Sequence, residues 1–153
     1  MHKLAIVGGG KMGEALVTGL IQSGWASPDE IVVSEIHEER REHLAKEHGI
    51  HVTGDTAEAV GSAGAVLLAV KPQDIDEVLR AMSGVVRPGQ LVMSIAAGIP
   101  IEVIERHLAG GVPVVRAMPN TPALLREGAA AIAAGSHASA DDMATTSASR
   151  TES

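Results

Sequence analysis

The sequence predicts an α/β domain built on a doubly wound parallel sheet, and three observations predict it. Short apolar runs rich in Val and Ile show no polar alternation, so both of their faces are buried, as in a sheet covered by helices on each side. Longer segments of helical period separate these runs, which is the pattern of repeated βα crossover units. At the first strand-to-helix junction stands "VGGGKMG", in which Gly8, Gly10 and Gly13 form G-x-G-x-x-G.

The elements follow in order. Leu4 to Val7 is the first strand. From Lys11 onward, Met12, Ala15, Leu16, Gly19 and Leu20 share one face at i, i+3, i+4 spacing, which makes an amphipathic helix. Ile31 to Val33 is the second strand. "EERREHLAKEHG" reads as a charged helix with Gly49 as its C-terminal stop. Ile50 to Thr53 gives a third strand, "TAEAVGSAG" one weak helix, and "AVLLAVKP" a fourth strand closed by Pro72. "DIDEVLRAM" is helical, "QLVMSIAAG" the fifth strand, "IEVIERHL" helical and "VPVVRAM" the sixth strand. The final "ATTSASRTES", rich in Ser and Thr and without a large apolar side chain, cannot offset its ordering entropy and is expected to be disordered.

A chain of 153 residues suits one domain, with an aliphatic core because Trp25 is the only aromatic side chain. The net charge of -7 argues against non-specific nucleic-acid binding, and no Phe or Tyr is present for bases to stack on. Without cysteine there is neither disulfide nor thiolate chemistry. No apolar run approaches the ~20 residues of a membrane span, and Met1 leads straight into a strand. The expected location is the cytoplasm, with no membrane partner.

Each glycine of the motif has its own task in the dinucleotide-binding (Rossmann) fold. Gly8 allows the tight turn, Gly10 lets a pyrophosphate approach the backbone, and Gly13 lets the helix pack closely on the strand. The free N–H groups and positive end of the helix then hold the phosphates. The plainer reading is glycine punctuation of a structural turn. A nucleotide-triphosphate P-loop is rejected, because Met12 stands where Ser or Thr belongs and Ala5 where the first glycine belongs. About twenty positions on, at the end of the second strand, stand Ser34 and Glu35. Glu35 bonding the ribose hydroxyls favours NAD(H); Ser34 with Arg40 or Arg41 receiving a 2′-phosphate favours NADP(H). A solvated helix start made of Glu35, Glu38, Glu39, Arg40 and Arg41 is the alternative. His43, His48 and His51 read as surface residues, and His107 as a residue placed by the C-terminal dipole of its helix. No metal site and no nucleophile are evident.

Three further stretches lie at or just past strand C-termini, the edge where doubly wound sheets bind ligands: "LLAVKPQD" (Leu67 to Asp74), "MSIAAGI" (Met93 to Ile99) and "VVRAMPNTPALLREG" (Val114 to Gly128). With "VGGGKMGEAL", and in this order, they resemble the N-terminal domain of the pyrroline-5-carboxylate reductases. The resemblance spans residues 3 to about 135 and implies hydride transfer from NAD(P)H to the cyclic imine 1-pyrroline-5-carboxylate, giving L-proline. It implies that Gly8, Gly9, Gly10, Lys11, Met12 and Gly13 bind the pyrophosphate, with Ser34 and Glu35 near the adenosine ribose and Thr56 on the adenine side. It places Ala69, Val70, Lys71, Pro72, Ala96, Ala97 and Gly98 beside the nicotinamide ribose and ring, and Met118, Pro119 and Asn120 at the nicotinamide face. Lys71 is equally a solvent-facing lysine closing a strand, and Asn120 a turn residue between two prolines. NADP(H) is favoured over NAD(H), and the choice stays open.

The family's members are homo-oligomers with a second, all-helical domain that supplies the substrate carboxylate site and the dimer interface. "GSHASADDMA" (Gly135 to Ala144) is similar to the start of that domain's first helix, and after Met143 the apolar periodicity ends. The expectation is therefore a cofactor domain over residues 1–135 and, over 136–153, a truncated helix start and tail. Such a chain binds cofactor and is poorly active alone. Another NADP-dependent reductase of the F420-dependent type, against which "RAMPNTPA" weighs, and a stand-alone dinucleotide-binding module are the rival readings.

Overall fold

The computed structural model describes residues 2–95, 98–108 and 112–116. Among the described residues, six strands alternate with five α-helices: β1 (His2–Val7), α1 (Lys11–Gln22), β2 (Ile31–Ser34), α2 (Glu38–His48), β3 (His51–Thr53), α3 (Thr56–Gly61), β4 (Ala63–Leu68), α4 (Ile75–Met82), β5 (Leu91–Ser94), α5 (Ile101–Glu105) and β6 (Val114–Arg116). The strands form one sheet in the order β3-β2-β1-β4-β5-β6, with every neighbouring pair parallel. The order reverses between β1 and β4, which opens a crevice above the C-terminal ends of these strands.

Alternation along the strands divides the core between two faces. Leu4, Ile6, Ala65 and Leu67 pack with Leu16 and Leu20 of α1 and Leu44 of α2. Val7, Val66 and Leu68 pack on the other side with Val60, Leu79, Met82 and Ile104 from α3, α4 and α5. The aliphatic core expected from composition is therefore present on both sides of the sheet. Gly49 ends α2 as expected, in the left-handed conformation at φ 70°, with its N–H bonded to Ala45 O.

Several boundaries differ from the sequence reading. Helix α3 stops at Gly61, and Ala63 and Gly64, expected as its last residues, begin β4 instead. Ala63 pairs with His2, which carries β1 two residues earlier than the apolar run suggests. The buried Gln90 side chain fixes that junction by donating to Val60 O and Ala63 O at 2.8 and 2.7 Å. Strand β4 ends at Leu68, with Ala69 still bonded to β1 through its N–H and Val70 beyond it, and Pro72 opens a short 3-10 turn before α4. Strand β5 is shorter than the run Gln90 to Gly98, and α5 ends at Glu105 rather than Leu108. The expected tail disorder and the 135/136 boundary fall outside the described residues.

Candidate cofactor site

The turn from β1 to α1 separates the glycines by task. Gly8 has φ +112°, and a Cβ there would meet Ala69 O at 2.8 Å. Its N–H donates to Ser34 O while Ala69 N–H donates to Val7 O, so the turn is stitched to both neighbouring strands. At Gly13 a Cβ would fall on the carbonyl oxygen of Gly8, which is why α1 can lie this close to β1. At Gly10 a Cβ would meet nothing within 4 Å. The backbone there faces open space.

Helix α1 begins at Lys11, and its first internal bond runs from Glu14 N–H to Gly10 O at 2.9 Å. The N–H groups of Lys11, Met12 and Gly13 precede the first i→i−4 bond and have no helical acceptor. They stand with the positive end of the helix dipole at the head of a cleft of about 690 Å³. These residues fit a dinucleotide phosphate.

Of the residues expected at the site, Gly8, Gly10, Lys11, Ser34, Glu35, Arg40, Thr56, Ala69, Val70 and Lys71 line this one cleft. Gly9, Met12, Gly13, Pro72 and Gly98 are not part of its lining. Gly9 is packed beneath α2, where a Cβ would meet Leu44 Cδ1 at 2.8 Å, and Gly13 lies against the turn itself. Ala96, Ala97, Met118, Pro119 and Asn120 fall outside the described residues. Lys71 is exposed and is part of the cleft lining, which leaves both readings offered for it open.

At the end of β2 the polar side chains meet one another and the glycine turn. Ser34 is 3% exposed, and its hydroxyl lies 2.9 Å from that of Thr56. The Glu35 side chain points inward at 9% exposure, and its carboxylate accepts the N–H groups of Gly9 and His37, both at 2.9 Å. Arg40 donates through Nε and Nη2 to Gly9 O at 2.9 and 2.6 Å, and through Nη2 to Glu14 at 3.0 Å. Arg41 donates to Glu35 O at 2.7 Å. Glu38 and Glu39 are the exposed helix start that the alternative reading described; Glu35, Arg40 and Arg41 are not.

Histidines are only partly superficial. His43 is exposed, but His48 is 15% exposed, and both lie on the same oxygen of Glu14, at 2.9 and 2.7 Å. His48 is drawn in because Glu14 of α1 faces α2 and needs partners. Burial by itself raises the Glu14 pKa, yet the hydrogen bonds from His48, His43 and Arg40 prevail and hold it down to about 2. The His51 ring is exposed and lies 2.9 Å from His2, whose pKa is lowered by burial and by the neighbouring imidazole. His107 lies just past the end of α5 rather than within the helix as expected, and its Nδ1 meets Val103 O, a carbonyl near that end, at 3.0 Å.

A group whose folded pKa is depressed stabilises the fold above its unfolded pKa, and the contribution fades as pH falls through the folded value. For Glu14 that window runs from the ordinary 4.5 down to about 2. The melting-temperature gap between the native chain and Glu14→Gln is expected to be wide above this window and to narrow steadily inside it. A gap that stays constant from pH 5 to 3 would contradict the assignment.

The far wall of the cleft was not foreseen. Asp74, Glu77, Val78 and Ala81 line it, at the i, i+3, i+4, i+7 spacing of one face at and along α4. Their periodicity was in the sequence, but which way α4 turns that face was not. Ile36, 75% exposed, and His37 complete the rim beside Glu35.

A parallel sheet with its switch point at a glycine turn, a bare helix N-terminus and a cleft above them define a dinucleotide-binding domain of the Rossmann type. The chain belongs to the family described as NADP oxidoreductase, coenzyme F420-dependent, whose model matches residues 3–98. It is 39% identical over 142 residues to a pyrroline-5-carboxylate reductase of Methanosarcina acetivorans, covering 93% of this chain and 53% of the relative. It is 43% identical over 138 residues to one of Pseudomonas aeruginosa, covering 90% and 50%. Among solved structures, a pyrroline-5-carboxylate reductase of Coxiella burnetii superimposes with a TM-score of 0.74 at 33% identity, covering 82% of this chain and 46% of that one. The chain thus spans about half the length of the curated relatives it matches. The resemblance read from the motifs is borne out, while the family description carries the name of the rival reductase.

Proposed function

We propose that this chain is the cofactor-holding part of a pyrroline-5-carboxylate reductase. The observation that carries the proposal is the open face of Gly10 beside the unbonded N–H groups of α1, at the head of a cleft lined by the motif residues. The names of its relatives supply the substrate, pyrroline-5-carboxylate, and reduction of that cyclic imine gives L-proline. When bound, a reduced nicotinamide supplies the hydride. The chain's own residues orient it and keep water out. In this reading the N–H groups from Gly10 to Gly13 hold the pyrophosphate, Ser34, Glu35 and Thr56 border the adenosine ribose, and Ala69, Val70 and Lys71 lie toward the nicotinamide. Ala96, Ala97, Gly98, Met118 and Asn120 are assigned to the nicotinamide side on the motif alone.

NADP(H) is the cofactor that the family description favours. The guanidinium groups expected to grip a 2′-phosphate are held by backbone carbonyls of Gly9 and Glu35, although Arg40 lines the cleft, and the Glu35 carboxylate lines it too. The preference is therefore shallow, under tenfold, or about 1.4 kcal/mol. Hydride transfer also requires the imine carbon to be held roughly 3–3.5 Å from the donor carbon. The family resemblance assigns that task to a second domain beyond these motifs. Calorimetric titration of the chain of 153 residues with NADPH and NADH, beside an assay of proline formation, tests the proposal. Binding of both nucleotides with turnover at least about 100-fold below a full-length relative is expected, a barrier difference of about 2.7 kcal/mol. Failure to bind either nucleotide would sink the cofactor reading; robust proline formation would sink its account of the substrate side.

A further inference from the structure

Deepening the cofactor reading, on which it rests, we infer that Arg40 is a positioning residue for the pyrophosphate site rather than a grip on the 2′-phosphate. The residue Gly9 is held from two sides. Its N–H donates to Glu35 Oε1 at 2.9 Å, and its carbonyl accepts two bonds from the Arg40 fork, at 2.9 and 2.6 Å. No peptide bond among the described residues is cis. In a trans peptide the carbonyl and the following N–H point in opposite directions. Drawing Gly9 O toward Arg40 therefore turns the N–H of Gly10 away from it, and Arg40 sets the direction of a donor on the one glycine of the motif with open space before it.

The fork is itself fixed. Arg40 Nη2 also donates to Glu14 Oε1, and the second oxygen of Glu14 is held by His43 and His48. Leu44, one turn further along α2, packs against Gly9 closely enough that a Cβ there would collide with it. Helix α2 therefore reaches the glycine turn through an apolar contact and through a charge-assisted fork. Both contacts act on the part of the turn shared by NAD(H) and NADP(H).

The test is Arg40→Lys, which keeps the charge and loses the two-pronged fork. Arg40→Ala is measured beside it. Arg40 is one-third exposed, so neither change opens a core cavity. Arg40→Lys is expected to weaken NADH and NADPH alike, about tenfold, leaving their ratio unchanged, and Arg40→Ala to weaken both at least as much. Loss of NADPH affinity alone would make Arg40 a 2′-phosphate residue and overturn the proposal. Unchanged affinities for Arg40→Lys, showing that charge alone matters, would overturn it too. The amide resonance of Gly10, whose peptide carries the Gly9 carbonyl, reads the clamp without any nucleotide. Its nitrogen shift is expected to move clearly in Arg40→Lys, and an unchanged shift overturns the proposal even if the native chain binds neither nucleotide.

Discussion

Gly10→Val is expected to abolish nucleotide binding while leaving the fold intact. Gly10 has φ -73° and ψ -169°, extended backbone that any residue adopts, and a Cβ there meets nothing within 4 Å. Valine is a poorer N-cap than glycine, which costs about 1 kcal/mol or less. Its isopropyl group, however, occupies the space through which an anion reaches the N–H groups of α1. The expected loss of affinity is at least 100-fold, or about 2.8 kcal/mol, for NADH and NADPH together. Calorimetry beside a thermal melt separates the two effects. Undiminished binding by a folded Gly10→Val chain would place the phosphates elsewhere.

The same substitution three residues on is expected to do the reverse. Gly13 lies in α1 with its Cα against the carbonyl of Gly8, and a Cβ would overlap that oxygen. Backbone on both sides leaves no rotamer to relieve the clash, so α1 must move off β1 and disturb the packing of Leu16, Val17 and Leu20. Overpacking a core side chain costs typically 1–3 kcal/mol; here, where backbone meets backbone, more than about 3 kcal/mol is expected from Gly13→Val. That is a large share of the roughly 5–15 kcal/mol that holds a domain together. A drop in melting temperature of about 10 °C or more checks it. A variant melting within a few degrees of the native chain would show that α1 is not seated as described.

The contrast between these glycines was legible because the motif encodes steric needs at fixed spacing: the tight turn at Gly8 and the close contact at Gly13 leave no room for a side chain, while Gly10 faces open space. The Val- and Ile-rich strands were legible for a similar reason, since burial on both faces removes polar alternation. The junction of α3 and β4 was not. Ala63 and Gly64 are small residues with little preference of their own, and their place is decided by pairing with β1 and by the Gln90 amide, nearly thirty residues away in sequence. The clamp on Gly9 was hidden for another reason. In "EERREH" every residue is polar, so periodicity cannot say which charges face inward. That is set by how Leu44 seats α2 on the glycine turn. Arg40 was visible as a cation near the adenosine end, and its actual partners, Gly9 and Glu14, lie 31 and 26 residues away.

Mapping backbone amide shifts of the isotopically labelled chain during titration with NADPH tests the central claim most directly. The largest changes are expected at Gly10 to Gly13, at Ser34 and Glu35, at Thr56 and at Ala69 to Lys71, in one contiguous patch above the C-terminal ends of β1, β2 and β4. Changes confined to the opposite end of the sheet, or scattered without a maximum at the β1–α1 turn, would contradict it.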